Sequence, residues 1–364
     1  MHLSVKDMIS KQAERIAMLE TKLEYYEAEQ SRIENPRLFS DNILDDIIDN
    51  DENLYRTTGM NRDEFEWILT QFEKTVKHSS DAPRFSEYAE SEDICILSVR
   101  RALFVALFRK RTNFTQIILG ATAAIDPSTV DRYLAIADVL LMKILPTAEN
   151  VAAAIRKECT IKAFKKFAPG KSAGEIYLDA TFVQVQRSKV NAYSGKHKQH
   201  VYNIQITSNK DGLVLDIGHP EESSTRDMDV IRHNLPNFGK WTKNMRDSNT
   251  KQEHRIMLYT DKEYFGVEKD YPGIISKQPY KKPKGNGMTE KDKKHDKRIN
   301  HKRVKVEHAI NRLKWFRRMS AVYDDSKEEF YKEIQVVSGL SNLHIMFNDR
   351  KYIELMERVC SSKR

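Results

Sequence analysis

Apolar residues recur at alternating steps of four and three through residues 3–33, which is the spacing of a heptad seam on one long helix. The seam positions are Val5, Ile9, Gln12, Ile16, Leu19, Leu23 and Tyr26. With the isoleucines at position a, basic residues at g would face acidic residues at e of a parallel partner helix. We therefore predict a coiled-coil dimerisation helix over residues 1–34, carried by Ile9, Ile16, Leu19 and Leu23. An amphipathic helix folded onto its own protein is the alternative.

Pro36 ends this helix, because a proline disfavours helical geometry in the residue before it. An acidic connector is expected over residues 35–60. The pattern is helical again over residues 61–168, where apolar residues cluster at 65–72, 96–108, 114–119 and 130–145. This segment is predicted to be an all-α domain.

A helix-turn-helix is predicted at about residues 113–142 of this domain. Residues 114–122 have the pattern of a short helix, Ala124-Ile125 that of a tight turn, and Asp126-Pro127 that of an N-cap followed by the first helical residue. The second helix would present polar side chains to the major groove of DNA: Ser128, Thr129, Asp131, Arg132 and Tyr133. An ordinary helical hairpin has the same pattern, so both interpretations stay open.

After residue 169 the pattern changes to the alternation of β-strands. Segments 175–186, 200–208 and 213–218 predict an antiparallel meander, with Lys210-Asp211-Gly212 as a hairpin turn. The pattern then predicts a helix at 226–234, a buried strand at 255–260, a short strand at 273–276, and helices at 289–319 and 327–347. This order describes an α/β domain over 169–349, followed by a C-terminal tail at 350–364.

The charge balance favours a polyanionic partner. Lys and Arg number 61 against 53 Asp and Glu, and the basic residues concentrate at 277–318. The three cysteines are too scattered for a disulfide framework or a thiolate zinc site. Because no apolar run approaches roughly 18 residues, we expect a soluble intracellular protein, nuclear in a eukaryote and in the cytoplasm or nucleoid of a prokaryote.

Three acidic residues stand where a charge needs a partner. Asp179 interrupts the apolar strand 176–182, and a buried carboxylate costs free energy unless it is paired or metal-bound. Asp261 follows the apolar run 256–260, at a strand end where the sites of α/β proteins gather. Glu307 flanks the apolar stripe of the long helix by one residue, so it can face the sheet, and Arg303 and Lys314 share its face.

Two aspartates on neighbouring strands and a glutamate on a covering helix can hold two divalent ions about 4 Å apart for phosphoryl displacement. Such oxygen ligands suit Mg²⁺ or Mn²⁺. Each residue also has an ordinary explanation, since an Asp at a strand end is often a cap and Glu307 could pair with Arg303. Asp179, Asp261 and Glu307 are therefore candidate catalytic and metal-binding residues, and both explanations stay open at this point.

Four motifs, in this order, resemble the DDE domain of PIF/Harbinger transposases and related bacterial insertion-sequence transposases. They are Asp179-Ala180-Thr181-Phe182, the segment from Tyr193 to Lys198, Asp261-Lys262-Glu263-Tyr264, and the segment from Val306 to Lys314. The resemblance implies an α/β ribonuclease-H-like catalytic domain, with a mixed five-stranded sheet and helices, preceded by an all-α helix-turn-helix domain. It also implies that Asp179, Asp261 and Glu307 form the metal-binding triad.

The resemblance further implies an enzyme that binds the terminal inverted repeats of its element, cleaves there by metal-dependent hydrolysis, and joins the 3′-hydroxyl ends to target DNA. Arg303 and Lys314 resemble the basic residues that flank the glutamate in the wider superfamily. Other DNA contacts are expected on two polar loops, at Lys196, His197, Lys198, Lys281, Lys282 and Lys284. Relatives often have His-Asp where this chain has Arg226-Asp227, and Asp227 could cap its helix or lie near the metal ions.

The implied partners are double-stranded DNA at transposon ends and target, a second copy of the chain or a larger synaptic assembly, and an accessory DNA-binding protein. Two other functions fit the same residues. A domesticated regulator derived from a transposase would keep dimerisation and DNA binding without catalysis. A host nuclease of ribonuclease-H-like fold would cleave without demanding terminal repeats.

Overall fold

The computed structural model of the protein describes residues 41–89, 96–158, 160–186, 193–194, 198–222, 225–245, 255–280 and 288–361. The predicted coiled coil, with Ile9, Ile16, Leu19 and Leu23, lies outside these residues. Every helix among the described residues is too short or too polar to span a lipid bilayer.

Residues 41–58, expected to be part of an acidic connector, instead form two helices. α1 (Asp41–Asp49) buries Leu44 and Ile48, and α2 (Asp51–Thr58) buries Leu54. The apolar residues at helical spacing anchor both helices on the core. Their acidic residues are paired with arginines of the following helices: Asp45 with Arg101, Asp49 with Arg100, and Asp51 with Arg62.

The all-α part continues through six more helices and one short 3-10 turn. They are α3 (Arg62–Lys77), the 3-10 turn Ala82–Arg84, α4 (Val99–Thr112), α5 (Gln116–Ala123), α6 (Pro127–Ile144), α7 (Ala148–Glu158) and α8 (Ile161–Phe167). α4 is apolar on every side from Ala102 to Phe108, and it is buried throughout that length. It is therefore the central helix of this part, with the others packed around it.

A mixed sheet follows. Its strands are β1 (Glu175–Gln184), β2 (Tyr193–Ser194), β3 (Gln199–Ser208), β4 (Val214–Ile217), β5 (Glu221–Glu222), β6 (Ile256–Tyr259) and β7 (Ile274–Lys277). β3 pairs antiparallel with β1 and β4, whereas β6 is parallel to β1 and β7. The longer strands thus lie in the order β4-β3-β1-β6-β7. This mixed sheet with helices is consistent with the ribonuclease-H-like domain expected from the sequence, and β2 and β5 add two-residue pairings to β3.

The register of β1 and β6 brings the two candidate aspartates to the same level of the sheet. Tyr177 of β1 pairs with Tyr259 of β6 in parallel register. Two residues further along each segment, β1 reaches Asp179 and the chain leaving β6 reaches Asp261. β1 is the middle strand, with β3 on its other edge, so Asp179 lies at the centre of the sheet.

The remaining helices pack on this sheet or extend from it. They are α9 (Asp227–Asn234), α10 (Asn237–Met245), α11 (Val267–Asp270), α12 (Glu290–Trp315), α13 (Lys327–Asn348) and α14 (Ile353–Ser361), with 3-10 turns at Lys262–Tyr264, Arg317–Met319 and Arg350–Tyr352. α12 begins with a capping box between Thr289 and Asp292. It contacts β1, β3 and β6, and its buried stripe includes Ile299, Val306 and Ile310.

Residues 350–361, expected to belong to a tail, are packed instead. α14 buries Leu355 and Val359, whose spacing of four residues places them on one helix face. Tyr352 is buried just before it, and the hydroxyl donates to Asp211 Oδ2 over 2.8 Å. Residue Tyr352, which precedes α14, is therefore fixed against the hairpin between β3 and β4.

A buried charge network joins the helical part to the sheet part across one continuous hydrophobic core. The Lys110 ammonium on α4 lies 2.8 Å from Asp138 of α6 and 3.0 Å from Glu333 of α13. Arg318 donates to the other oxygen of Glu333 over 2.9 Å. These two cations hold the pKa of the Glu333 carboxyl at about 2 against the opposing effect of burial. Charges at this junction are thus compensated inside the core.

Candidate active site

Asp179 lies on β1 with its carboxylate largely covered, at 19% side-chain exposure. Its Oδ1 accepts the N–H of Ala180 at 2.9 Å, and its Oδ2 accepts from the guanidinium of Arg303 at 3.1 Å. Burial raises the pKa of the Asp179 carboxyl, although Arg303 acts in the opposite direction. A carboxylate at this position therefore depends on a nearby cation to carry its charge.

Asp261 comes directly after β6 and begins the 3-10 turn Lys262–Tyr264. Its Oδ1 accepts the N–H of Lys262 at 2.6 Å. The ordinary explanation offered by the sequence, a capping aspartate at a strand end, therefore holds here. The side chain is 33% exposed and lines the cleft described below.

One guanidinium joins the two aspartates. Nη2 of Arg303 lies 3.1 Å from Asp179 Oδ2, and Nη1 lies 3.7 Å from Asp261 Oδ1. The Arg303 side chain is 15% exposed, and its Nε is buried without a hydrogen-bonding partner among the described residues. The two carboxylates thus form one cation-binding element, which a side chain of α12 fills in this structure.

The two carboxylates open onto an acidic cleft with a volume of about 720 Å³. Its charged lining residues are Asp179, Asp227, Asp229, Asp261, Glu263, Arg226 and Arg232. Arg232 is itself paired with Asp229 and with Asp270. Because acidic groups outnumber basic ones along the wall, the cleft favours a cation.

A polar layer supports the cleft from below. Gln205 of β3 donates from its amide to the carbonyl oxygen of Asp227 at 2.8 Å and to the Tyr264 hydroxyl at 3.3 Å. Burial raises the pKa of the Tyr264 phenol, and the charges of Asp227 and Asp179 add to the shift. The neutral phenol and the amide therefore tie β3, α9 and the turn after β6 together beneath the two aspartates.

Asp227, Glu263 and Gln205 were not among the predicted site residues. Asp227 is the first residue of α9, after the N-cap Arg226, so it does not cap the helix. The sequence did offer a signal for Asp227, because it lies at a predicted helix start and follows Arg226, where relatives often have a histidine. The sequence held no comparable signal for Gln205, whose role depends on the pairing of β3 with β1.

Glu307 is not brought into the cleft. It lies on α12 one helical turn beyond Arg303, its side chain is exposed, and it does not line the acidic cleft. Over the described residues, no group of three or more His, Cys, Asp or Glu side chains could hold one metal ion. The fold thus unites two of the three predicted carboxylates. The third follows Arg303 by four residues, an advance of about 6 Å along the helix.

The predicted basic DNA contacts differ in their surroundings. Arg303 is occupied by the two aspartates, and Lys314 lies with its Nζ 4.9 Å from the centre of the Phe182 ring. Burial lowers the pKa of the Lys314 ammonium. Lys198 is exposed immediately before β3. Five further positions lie outside the described residues: Lys196, His197, Lys281, Lys282 and Lys284.

The predicted helix-turn-helix segment has α5, a turn with Ala124 at φ 51°, and α6 in the expected order. Asp126 caps α6 by accepting the N–H of Ser128 at 2.8 Å. Ser128 and Arg132 are exposed and Thr129 is half-buried, so all three reach solvent.

Tyr133 was predicted to be an exposed DNA contact, and this prediction was wrong. The residue is buried, and its hydroxyl accepts the N–H of Leu97 at 2.9 Å and donates to the Arg84 carbonyl oxygen at 2.6 Å. Val130, Tyr133 and Ala137 follow one another at steps of three and four, which places Tyr133 on the core face of α6. Its polar end is satisfied by backbone groups, so this tyrosine can occupy the core.

Residues 178–342 match the sequence profile of the family described as DDE superfamily endonuclease. A curated protein of Microchaete diplosiphon, named "Probable transposase for insertion sequence element IS702", is 25% identical to this chain over 174 residues. That alignment covers 47% of this chain and 57% of the relative. No solved structure gives a significant match to the chain.

Residues 178–342 are therefore similar to a DDE superfamily endonuclease domain, and part of the chain is similar to a probable insertion-sequence transposase. The resemblance predicted from the four motifs is confirmed at this level. Asp179, Asp261 and Glu307 all fall within the matched residues.

Endonuclease domains of this superfamily use divalent metals, and the donor set present here fits such ions. Asp179 and Asp261 offer carboxylate oxygens from adjacent segments, which are the ligands that Mg²⁺ and Mn²⁺ prefer. A guanidinium already lies against both of them, so the position attracts positive charge.

Proposed function

We propose that this protein is a DNA transposase with a metal-dependent nuclease centre formed by Asp179, Asp261 and Glu307. The placement of Asp179 and Asp261 side by side, both against the guanidinium of Arg303, carries the proposal. The protein would bind the terminal inverted repeats of its element, hydrolyse the phosphodiester bond there, and transfer the 3′-hydroxyl end to target DNA. The similarity of residues 178–342 to an endonuclease family supports the nuclease step.

Backbone hydrogen bonds orient the carboxylates of Asp179 and Asp261 without any bound ligand. Backbone N–H groups of Ala180 and Lys262 fix one oxygen of each aspartate, at 2.9 and 2.6 Å respectively. Fixed ligands lose little conformational freedom on binding, so an oxygen-ligand site on this rigid sheet is pre-organised. Asp179 and Asp261 would hold one or two Mg²⁺ or Mn²⁺ ions. When bound, such ions activate a water or 3′-hydroxyl nucleophile and stabilise the leaving oxygen.

Arg303 compensates one of the two negative charges of the aspartate pair, since its single guanidinium lies against both carboxylates. A second cation brought to the same carboxylates would compete with the guanidinium for them. Displaced from the aspartates, Arg303 would lie at the cleft with five N–H donors suited to a phosphate. Its role as a DNA-gripping residue, implied by the family resemblance, therefore belongs to the loaded state.

Glu307 is proposed as the third ligand because it follows Arg303 on the same helix face. Four residues of α-helix return the side chain to nearly the same direction. Withdrawal of Arg303 would leave the space between Glu307 and the aspartates to the glutamate side chain. Asp227, which already lines the acidic cleft, is the alternative third ligand.

DNA recognition is proposed for the α5–α6 segment and the basic surfaces. Ser128, Thr129 and Arg132 reach solvent on α6, the second helix of the pair. Phosphate contacts from such surfaces would make binding strongly dependent on salt. A dimer formed through residues 1–34 would present two such units to the two ends of an element.

Cleavage of duplex DNA that carries the inverted repeats flanking the gene tests this function. We expect Mg²⁺-dependent nicking at the repeat end by the full chain, loss of nicking in Asp179→Asn, and retained repeat binding by that variant. Asp46→Asn, the same change at an exposed acid far along the chain, is the matched control and should cleave normally. A protein that binds the repeats but never cleaves them would be a regulator, and cleavage without regard to the repeats would indicate a host nuclease.

A further inference from the structure

A second cavity, with a volume of about 450 Å³, lies between α2, α12 and α13. It is on the side of α12 that carries His308, Arg312 and Trp315, whereas Arg303 faces the aspartates. None of the three residues has a part in the proposed nuclease centre. The volume falls in the range of about 300–1,000 Å³ that is usual for sites of organic ligands.

Two partly exposed aromatic rings form one end of this cavity. Trp315 is 37% exposed and Tyr55 is 43% exposed, and their ring centroids are 5.6 Å apart. The guanidinium carbon of Arg111 lies 3.9 Å from the centroid of the Trp315 ring. An indole held against a cation and still open to solvent offers a planar surface for another flat group.

The backbone at Gly59 fixes the position of this indole. Gly59 ends α2 in the left-handed conformation at φ 78°, and a Cβ there would lie 2.7 Å from Cζ3 of Trp315. A side chain at position 59 would therefore push the ring away. The close approach of α2 to α12 is what brings Tyr55 and Trp315 to the same cavity.

The polar groups of the cavity suit an anion. His308, Arg312 and His344 line it, and no acidic side chain does so among the described residues. His344 is already bonded to the Glu64 carboxylate at 2.7 Å, so Arg312 is the cationic lining group that a phosphate would meet. The Ser341 hydroxyl also lines it, and its Oγ is buried without a hydrogen-bonding partner within the described chain. Because a buried hydroxyl without a partner costs free energy, a polar ligand atom would be stabilised beside it.

We infer that this cavity, the Trp315 pocket, binds an unpaired nucleotide of a DNA strand, with the base stacked on Trp315 and Tyr55 and the phosphate against Arg312. A flat aromatic base attached to an anion matches both halves of the pocket. The Ser341 hydroxyl adds a hydrogen-bonding position for the base edge or the sugar. Stacking on aromatic side chains is tolerant of sequence because every base has a π-face.

This inference rests on the proposed function and extends it to the form of the DNA. Arg303 and Trp315 are twelve residues apart on α12, which corresponds to about 18 Å along the helix axis. A strand whose reacting phosphate lies at the aspartates would have nucleotides within reach of the pocket. The pocket would hold the strand in an unpaired form on one side of the cleavage position.

Binding in EDTA, where no cleavage occurs, tests the inference apart from catalysis. The probes are a fluorescently labelled blunt duplex, the same duplex with a short single-stranded extension, and dAMP as a competitor. We expect the full chain to prefer the extended duplex. Trp315→Leu, which keeps apolar contact but removes the aromatic face, should lose about ten-fold in affinity for the extension and little for the blunt duplex.

Trp315→Phe is the matched variant, since it keeps a stacking ring and controls for misfolding caused by loss of the indole. It should retain the preference for the extended duplex while abolishing the quenching of tryptophan fluorescence that the extension causes in the wild type. Equal binding of both duplexes by the wild type, or an unchanged preference in Trp315→Leu, would overturn the inference. If free dAMP displaced the extended duplex completely, with an affinity equal to that of the single-stranded extension, the assignment of the pocket to a DNA strand would be overturned. If the protein cleaves the repeats but shows either of these binding results, the assignment of the pocket fails and the proposed nuclease function does not.

Discussion

Arg303 on α12 lies with Nη2 3.1 Å from Oδ2 of Asp179 on β1, so a helix closes over the carboxylate in the middle of the sheet. The same guanidinium reaches Asp261 at 3.7 Å. The aspartates therefore meet across a parallel strand pair, and an arginine holds their charges together. This relationship leads to expectations for both stability and metal response.

Arg303→Ala should destabilise the metal-free protein by about 2 kcal/mol, because Asp179 would keep a largely buried charge without its strongest partner. Addition of Mg²⁺ should raise the unfolding free energy of this variant more than that of the wild type, since the ion would have no competitor. Urea unfolding with EDTA or Mg²⁺ measures both effects. Arg298→Ala, an exposed arginine of the same helix, is the control and should change neither. If Mg²⁺ raised the unfolding free energy of the two variants equally, Arg303 would not compete with the metal ion for the aspartates.

Glu307→Gln should lower repeat cleavage by at least about 100-fold, because loss of a group that only supports a metal ligand already costs about 10- to 100-fold. Asp227→Asn should lower it less, because Asp227 is assigned to the wall of the cleft and not to the ions. Rates of nicking by the two purified variants distinguish these roles. Full activity in Glu307→Gln together with a large loss in Asp227→Asn would indicate that the third ligand is Asp227 on α9 and not Glu307 on α12.

His344 and Glu64 link α13 to α3, with His344 Nδ1 2.7 Å from the Glu64 carboxylate. The hydrogen bond to Glu64 raises the pKa of the His344 imidazole above its ordinary value of 6.5. The stabilisation is thus fully present below pH 6.5 and is lost as the pH rises through the folded-state pKa. Because the His344 side chain is 42% exposed, screening limits the effect to less than about 1 kcal/mol.

The measurement is the difference in unfolding free energy between the wild type and His344→Gln, taken at acidic and at alkaline pH. The difference should be larger at acidic pH. His78→Gln, at an exposed histidine bonded to a backbone carbonyl, serves as the control for the change from histidine to glutamine. A larger difference at alkaline pH would contradict the assignment.

Lys110→Met should cost about 3 kcal/mol of stability, because removal of one member of a buried ion pair leaves the other charge uncompensated. Asp138 would lose its 2.8 Å partner, while Glu333 would keep Arg318. Lys143→Met on α6 makes the same chemical change at an exposed position and should have little effect. The double variant Lys110→Met/Asp138→Leu should recover part of the loss in urea unfolding. A loss no greater than that of Lys143→Met would mean that the pair does not stabilise the junction.

Arg132→Ala should weaken binding to terminal-repeat DNA and lessen its salt dependence, since a phosphate contact would be removed. Tyr133→Phe should leave DNA affinity unchanged but lower stability by about 1–3 kcal/mol, because the Leu97 N–H and the Arg84 carbonyl would lose their partner. Affinity titrations at several salt concentrations, paired with thermal unfolding, separate the two effects. Reduced DNA affinity in a well-folded Tyr133→Phe protein would indicate that Tyr133 contacts DNA, as the sequence predicted.

Much of the sheet was predictable because local pattern and tertiary role agree. Alternation defined the strands around Asp179, and the Lys210-Asp211-Gly212 turn fixed the pairing of β3 with β4. The long helix was predicted to continue to Met319, but it ends at Trp315 and a 3-10 turn follows. Helix ends of this kind depend on packing that a linear pattern does not contain.

The errors arise where tertiary contacts decide the outcome. The acids of residues 41–58 read as a connector because their partners, Arg62, Arg100 and Arg101, lie on later helices. Tyr133 read as exposed because a tyrosine fits both a surface and a core position. Its burial follows from two backbone groups far away in the sequence. For the site, the apolar strand segments around Asp179 and Asp261 and the family motifs singled out both aspartates. The bridge by Arg303 and the approach of Asp227 required the fold.

The most direct test of the central claim is a calorimetric titration of Mn²⁺ into the full chain and into the double variant Asp179→Asn/Asp261→Asn. The wild type should bind Mn²⁺ with a stoichiometry of one or two, and the double variant should lose that binding while its thermal unfolding stays cooperative. Binding of equal affinity and stoichiometry in the folded double variant would show that the two aspartates do not hold the metal, and would contradict this account of the nuclease centre.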